Sequence, residues 1–366
     1  MVICGSQINR SYFVAVDTRF GHGNVTYFTY FSEFNRPWRG AAYIEAAVMT
    51  TLFVLSGIGN FFILGIMFKT KSSRNITNYF VCNLAIGDIL FATAAPFVAY
   101  VRITGTWRLG DGMCHLLTYG MFVCAIAMIW TMAVISIDRY LCINRGLVNR
   151  VRTVHVVSIC LCIWIISACC FLPLAVFFHV KEIEVADDII SICTLLWPKG
   201  RIRYSALFMA MLFVFAFLLP MTIITFDYYK IFRKFWSSKR AVGALSHIQS
   251  RSQRAAISRR NKDIKMVKTL ILLVFVFVIM WLPLFVVLSL LHHDVSYTHN
   301  TLPSYGLTWT LIVAYMNPCV NPFLYGFINL EVCQNVLFCC SQCQNSSEEL
   351  LASNTNLNDK NNTTRP

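Results

Sequence analysis

The chain of 366 residues is too apolar for a protein whose surface faces water, because 57% of its residues are hydrophobic and only 13% are charged. This composition indicates a membrane protein and excludes a soluble enzyme, a secreted domain and a nucleic-acid-binding protein. The formal net charge of +14 would by itself suggest a nucleic-acid partner, but the basic residues follow the pattern of membrane topology.

Seven apolar stretches follow one another along the chain, and each exceeds the roughly 20 residues that a helix needs to cross about 30 Å of hydrocarbon. Six contain no Asp, Glu, Lys or Arg, and the second contains only Asp88. We therefore predict an all-α membrane protein, a seven-transmembrane helix bundle at 41–328 that follows an extracellular N-terminal tail at 1–40. In chain order the stretches are Ala46–Phe68, Asn75–Val101, Gly112–Ile137, Thr153–Val180, Tyr204–Phe226, Thr269–His293 and Val295–Leu330.

Lysine and arginine are concentrated on one side of the predicted bundle. The loops after spans one, three and five and the C-terminal tail hold 21 of these residues, whereas the N-terminal tail and the other loops hold 10. The positive-inside rule assigns the richer side to the cytosol. We therefore expect an extracellular N-terminus and a cytosolic C-terminus. The sequon Asn24-Val25-Thr26 then makes Asn24 a glycosylation site.

Two structures are predicted on the extracellular side. Cys114 begins the third span and Cys193 lies in the loop after the fourth, where the oxidising environment favours a disulfide between them. The same loop contains β-branched runs at Val180–Val185 and Ile189–Leu195, a pattern typical of a β-hairpin. The hairpin would lie over the mouth of the bundle, and the apolar segment Leu195–Pro198 could turn inward as a lid.

The sequence after the seventh span indicates a membrane-anchored tail. Residues 329–343 are expected to form a short cytosolic amphipathic helix with palmitoylation on Cys339, Cys340 and Cys343. The polar stretch at 344–366 is expected to be disordered. Phosphorylation of Ser346 and Ser347 could recruit arrestin, although a solvated tail explains these residues equally well.

Each predicted span carries one short motif. The motifs are Gly59-Asn60, Asn83-Leu84-Ala85-Ile86-Gly87-Asp88, Asp138-Arg139-Tyr140, Trp164, Pro220, Trp281-Leu282-Pro283 and Asn321-Pro322-Phe323-Leu324-Tyr325. Any one of them is weak evidence, whereas seven in this order resemble the rhodopsin-like (class A) family of G-protein-coupled receptors. The resemblance covers nearly the whole chain. It implies a receptor, not an enzyme, that activates a heterotrimeric G protein through outward movement of the sixth span and needs no cofactor or metal.

The resemblance also implies roles for a set of switch residues. Asp88 should face the bundle interior, where it either binds sodium or is protonated and linked to water. Arg139 should be clasped by Asp138 and by Asp263 at the foot of span six, a latch that holds the receptor inactive; the alternative is an arginine that snorkels to phosphates. The resemblance assigns Pro220, Ile129 and Phe277 to a packed connector and Trp281 to the pocket floor. It also implies that the hydroxyls of Tyr228 and Tyr325 swing inward when span six moves out. Asn321 and Pro322 are the remaining implied switch residues.

The ligand is constrained by what the sequence lacks and by one basic residue. Met121 stands where amine receptors carry an aspartate, and Tyr315 stands where opsins carry the retinal lysine. The segment that ends in Arg102 is similar to the free fatty acid receptors that respond to long-chain acids, in which the matching arginine is the proposed carboxylate partner. We therefore expect Arg102 to pair with a lipid carboxylate, with snorkelling to lipid headgroups as the alternative. The aromatic residues expected to line the acyl-chain groove are Trp107, Tyr119, Phe122, Trp197, Phe208, Trp281 and Trp309.

Other functions remain open at the level of sequence. A class A peptide receptor is the second candidate, and a transporter is less well supported because no internal repeat is found. A lipid-modifying metalloenzyme would need several histidine clusters, whereas the eight histidines include only the isolated pair His292-His293. The resemblance suggests a Gq-type G protein, with arrestin and membrane lipids as further partners.

Overall fold

The computed structural model describes residues 2–9, 11–16, 24–34, 38, 40–69, 76–145, 153–185, 188–198, 203–243, 251–297 and 301–328. The strands within these ranges are β1 (Val2–Asn9), β2 (Tyr12–Val16), β3 (Asn24–Phe28), β4 (Phe178–Val185) and β5 (Asp188–Leu195). The helices are α1 (Gly40–Lys69), α2 (Ile76–Ala92), α3 (Ala94–Thr104), α4 (Gly110–Arg145), α5 (Thr153–Phe177), α6 (Tyr204–Phe213), a π-helical segment (Val214–Leu218), α7 (Leu219–Gly243), α8 (Arg251–Tyr297) and α9 (Ser304–Ile328).

These helices form the predicted seven-span bundle. Spans one, three, four, six and seven are α1, α4, α5, α8 and α9; α2 and α3 together form span two, and α6, the π-helical segment and α7 form span five. Among the described residues, six spans are long and apolar enough to cross a membrane. The seventh span is α9, a helix of 25 residues that contains Pro318 and Pro322.

Span three is the axis of the bundle. In its most apolar 18-residue stretch 72% of the residues are buried, whereas the buried share of the corresponding stretch is 22–28% in spans one, four, five and six. Two glycines allow neighbouring helices to approach closely. A Cβ atom added at Gly87 would lie 2.9 Å from Met128 Cγ, and one added at Gly59 would lie 2.8 Å from Pro322 Cγ, and both distances are too short for a real side chain. These glycines therefore allow spans two and three, and spans one and seven, to pack closely.

The boundary between spans six and seven differs from the prediction. The seventh apolar stretch was expected from Val295, but α8 continues to Tyr297 and α9 begins at Ser304, directly after Pro303. Proline lacks the N–H that a helix interior needs and is tolerated at a helix start. The residues from Val295 to Tyr297 therefore complete the sixth span.

The outer end of the bundle carries a five-stranded sheet in the order β3-β2-β1-β4-β5. The predicted hairpin is confirmed, since β4 and β5 pair antiparallel. The N-terminal tail, for which no strands were predicted, adds β1 parallel to β4, with Val2 opposite Glu182. The tail therefore extends the hairpin into a cover over the bundle.

The predicted cytosolic helix at 329–343, with Cys339, Cys340 and Cys343, and the tail at 344–366 lie outside the described residues and remain predictions.

Candidate functional site

A cavity of about 830 Å³ opens in the outer half of the bundle. This volume lies within the range of about 300–1,000 Å³ typical of small-molecule pockets. Spans two to seven contribute to the wall, and most of the lining side chains are apolar. The deeper lining includes Phe91, Met121, Phe122, Ile126, Phe208, Leu212, Trp281 and Leu311.

The predicted lid covers this cavity. Leu195, Leu196, Trp197 and Pro198 line it from the hairpin side. The disulfide between Cys114 and Cys193 is present and fixes the hairpin to the top of span three. The segment from Val25 to Phe31 supplies a second part of the cover that the sequence interpretation missed. Burial raises the pKa of the Tyr30 hydroxyl in this cover, because it disfavours the charged phenolate.

Trp281, which the resemblance assigns to the pocket floor, lines the cavity. Its ring packs against Phe91 with centroids 5.1 Å apart and stacks on Phe277 at 5.5 Å. Phe277, Ile129 and Pro220 are buried below the cavity. A ligand that moves Trp281 would therefore act directly on the predicted connector through Phe277.

The predicted aromatic groove is only partly formed. Phe122, Trp197, Phe208 and Trp281 line the cavity, whereas Trp107, Tyr119 and Trp309 do not. Trp107 is buried against Phe31, with ring centroids 5.8 Å apart. Tyr119 donates its hydroxyl to the carbonyl of Ala168 at 3.0 Å, and Trp309 is exposed. These three predictions therefore need correction, because Trp107 packs against the N-terminal segment, Tyr119 is hydrogen-bonded to span four and Trp309 faces outward.

The structure also corrects the prediction for Arg102, which is only 1% exposed and is not among the cavity-lining residues. Its Nε lies 2.7 Å from Glu45 Oε2, and its Nη2 lies 2.8 Å from Glu33 Oε2 and 3.2 Å from Glu45 Oε1. Its Nη1 donates to the carbonyl of Phe31 at 3.1 Å and to Ser304 Oγ at 3.4 Å. The guanidinium is therefore engaged by two protein carboxylates. We call this group, Arg102 with Glu33 and Glu45, the outer ion triad.

The cavity presents a different guanidinium. Arg203 immediately precedes α6, is exposed and lines the cavity with Tyr204 and Ser205. Among the lining residues that the structure describes, Arg203 is the one with a permanent charge; His292 and His293 are the imidazoles. Sequence reasoning missed Arg203 because it follows the basic residues Lys199 and Arg201 in an extracellular loop.

A buried polar cluster below the cavity includes the predicted residues Asp88 and Asn321. The Asp88 carboxylate is fully buried and accepts two hydrogen bonds from Asn321 Nδ2, at 3.1 and 2.9 Å. Asn60 Nδ2 donates to the carbonyl of Pro318 at 3.0 Å. Spans one, two and seven are therefore joined by polar contacts where Pro318 and Pro322 interrupt the α9 hydrogen-bond ladder.

At the cytosolic end, Arg139 contacts its predicted neighbour. Arg139 donates from Nε to Asp138 Oδ2 at 3.0 Å and also from Nη2 to the same oxygen, and Tyr228 is half-buried nearby. The side chains of Asp263 and Tyr325 lie outside those described, so the latch to span six remains a prediction.

Two hydrogen bonds between spans three and five were not predicted from the sequence. Trp130 Nε1 donates to the carbonyl of Phe215 at 3.1 Å within the π-helical segment, and Ser136 Oγ donates to Asp227 Oδ2 at 2.9 Å. The π-helical segment directly precedes α7, whose second residue is Pro220. π-Helical turns occur frequently at functional sites, and this one adjoins the predicted connector.

A covered apolar cavity above buried polar clusters defines a membrane receptor of the seven-helix class. The family model of the 7 transmembrane receptor (rhodopsin family) matches residues 59–325, and the chain belongs to this family. It is therefore a G-protein-coupled, multi-pass receptor of the plasma membrane and not an enzyme.

The similar relatives are named for two kinds of ligand, a fatty acid and a peptide. It is 32% identical to free fatty acid receptor 4 of Mus musculus over 326 residues, which cover 87% of this chain and 88% of the relative. The Rattus norvegicus protein gives the same values. The chain is 31% identical to neuropeptide Y receptor type 2 of Mus musculus over 284 residues, which cover 76% of this chain and 71% of the relative. The predicted similarity to free fatty acid receptor 4 is confirmed, but these similarities do not decide between a lipid and a peptide ligand.

Proposed function

We propose that this receptor senses an extracellular long-chain fatty acid or a related lipid carboxylate and activates a heterotrimeric G protein through outward movement of span six. The observation that carries the proposal is the apolar lining of the cavity. Among the described lining residues, Arg203 supplies the one guanidinium, at the cavity edge. Burial of an acyl chain is worth about 0.8 kcal/mol per methylene, so a dozen methylenes give roughly 10 kcal/mol before the entropy of association is subtracted. The chain dominates the affinity, and the acid group orients it.

The carboxylate is assigned to Arg203 instead of Arg102. A carboxylate that bound Arg102 would compete with Glu45, which already takes two of its N–H groups at 2.7 and 3.2 Å. Arg203 is exposed at the cavity edge and can offer a planar pair of N–H donors without displacing a protein carboxylate described near it. The acyl chain then extends from Arg203 toward Phe208 and Trp281.

Activation is proposed to follow from contact with Trp281. Since the Trp281 ring stacks on Phe277, a ligand that displaces Trp281 repacks the connector of Phe277, Ile129 and Pro220. Span six then releases the latch between Arg139 and Asp263, and Tyr228 and Tyr325 turn inward. A Gq-type G protein and arrestin are the proposed cytosolic partners, and the N-terminus is proposed to face the extracellular side.

The experiment compares acids with their methyl esters in transfected cells, with calcium and cyclic-AMP readouts. Saturated, polyunsaturated and hydroxylated long-chain acids should activate the parent receptor, and esters should be weak. Arg203→Ala should reduce acid potency by ten- to a hundred-fold, which corresponds to the roughly 1.5–3 kcal/mol of a charge-assisted hydrogen bond. Arg108→Ala is the matched control, because Arg108 is exposed on the same side but does not line the cavity.

A peptide is the second candidate ligand, favoured by the similarity to neuropeptide Y receptor type 2. The cover formed by the segment from Val25 to Phe31 and by the lid argues against it, because a peptide would have to displace this cover to reach Trp281. A peptide panel in the same assay separates the two. Activation by a peptide and by no lipid would reject the fatty-acid proposal and leave the receptor class intact.

A further inference from the structure

A cluster of three potential metal ligands lies at the outer end of the bundle, where α4 meets the hairpin. One oxygen of Asp111 and one ring nitrogen each of His115 and His179 lie within 4.8 Å of one another. Asp111 and His115 lie on α4, whereas His179 is the second residue of β4. None of the three lines the ligand cavity.

The hydrogen bonds of His115 determine which of its nitrogens is available. His115 Nδ1 lies 2.7 Å from the carbonyl oxygen of Ala175. A carbonyl oxygen can only accept, so Nδ1 carries the proton and donates it. In the neutral imidazole, Nε2 is then the bare nitrogen with a lone pair. Metal-binding histidines are commonly oriented in this way, by donation of the other ring N–H to a backbone carbonyl.

Asp111 is oriented by the hairpin in the same manner. Its Oδ1 accepts the backbone N–H of Val180 at 2.8 Å, which leaves Oδ2 facing His115 Nε2 at 3.1 Å. With a neutral imidazole, two lone pairs would oppose each other across this distance. A cation is needed between them, and it is either a proton on Nε2 or a metal ion.

The third ligand favours the metal ion. The ring of His179 lies perpendicular to that of His115, with centroids 4.9 Å apart. A shared proton joins only two atoms, whereas a metal ion can bind all three of the ligand atoms that converge here within 4.8 Å. Tetrahedral Zn²⁺ with bonds of about 2.0–2.1 Å separates its ligand atoms by roughly 3.3 Å, close to the 3.1 Å between Asp111 Oδ2 and His115 Nε2.

We propose that Asp111, His115 and His179 form a zinc site that joins span three to the extracellular hairpin. Two imidazoles with one carboxylate suit Zn²⁺, whereas Ca²⁺ and Mg²⁺ prefer sites made of oxygen. Three protein ligands leave a fourth position for water. Entry from the medium is open, because the side chain of Asp111 is 58% exposed and that of His115 is 23% exposed.

The metal would reinforce the attachment of the hairpin to span three. The disulfide at Cys114 and Cys193 holds β5 to α4, whereas the zinc ion would hold β4 through His179. The two strands of the hairpin would then each have a covalent or metal link to the same helix, in addition to the hydrogen bond from Val180 to Asp111. This inference does not depend on the nature of the ligand in the cavity.

The test is zinc binding by the full-length receptor in lipid nanodiscs, measured by competition with a fluorescent zinc chelator. The parent should bind one more Zn²⁺ equivalent than His179→Ala, or bind that equivalent at least about tenfold more tightly. His179 is a half-buried strand residue, so its removal should preserve the fold. Asp111→Asn provides a second variant, because the amide oxygen can still accept from the N–H of Val180. The control is His155→Ala, since His155 is an exposed histidine on α5 outside the cluster.

A second readout is the thermal unfolding midpoint of the same samples. Zn²⁺ should raise the midpoint of the parent and of His155→Ala but not that of His179→Ala, because binding to the native state alone stabilises it. Equal zinc affinity and equal stabilisation in the parent and His179→Ala would overturn the proposal. The contact between His115 and Asp111 would then be an imidazolium–carboxylate pair without metal. Equal competition by Ca²⁺ or Mg²⁺ would also overturn it.

Discussion

Replacement of Arg102 by alanine should destabilise the outer end of the receptor, with little direct effect on ligand binding. The side chain of Arg102 is fully buried, and those of Glu33 and Glu45 are 4% and 2% exposed. Removal of the cation leaves two buried carboxylates close together without the guanidinium charge that lies between them. Loss of one partner of a buried ion pair typically costs about 3–5 kcal/mol, which lowers the folded-to-unfolded ratio by roughly a hundred- to several thousand-fold.

The assay is the thermal unfolding midpoint of the purified receptor together with its surface expression. Arg102→Ala should lower both strongly, and Arg108→Ala should change neither. The triple variant Arg102→Met, Glu33→Gln, Glu45→Gln should recover most of the loss, because it removes all three charges at once. The reasoning would be refuted if Arg102→Ala kept the parent's midpoint and lost only acid potency, since Arg102 would then be the carboxylate partner that the sequence suggested.

Two further predictions concern the switch and the topology. Asp263→Ala should raise basal signalling about five- to thirty-fold at matched surface expression, because a latch worth roughly 1–2 kcal/mol no longer opposes movement of span six away from Arg139; unchanged basal signalling would argue against the latch. Thr26→Ala should remove a glycan from Asn24, and an epitope tag after Pro366 should bind antibody only in permeabilised cells; antibody binding to intact cells would reverse the orientation.

The membrane-spanning architecture could be predicted from the sequence because the bilayer imposes a length and an apolar composition on each span. The hairpin was predictable for a similar reason, since its β-branched runs lie next to each other in the chain. The N-terminal strands were missed although Tyr12–Val16 is rich in aromatic and β-branched residues. Pairing of β1 with β4 joins Val2 to Glu182, and such distant pairing leaves no local pattern.

Two groups of side chains near the candidate site could not be predicted from the sequence. A basic residue at the end of span two suggested a ligand partner, but the partners of Arg102 are Glu33 and Glu45, which come from other segments of the chain. His115 and His179 likewise lie on different elements, so no spacing rule for metal ligands applies to them. In both cases the chemistry depends on tertiary contacts between side chains that are far apart in sequence.

The central claim, that the cavity holds the acyl chain of a lipid carboxylate, is tested most directly by binding of a labelled long-chain acid to the purified receptor in nanodiscs. Met209→Trp places a larger side chain on the cavity wall, whereas Leu207→Trp adds the same side chain at a position that is 62% exposed and not part of the lining. We predict saturable binding to the parent and to Leu207→Trp, and loss of binding in Met209→Trp at an unchanged unfolding midpoint. Equal binding of the acid by the two tryptophan variants, or no saturable binding to the parent, would contradict the claim.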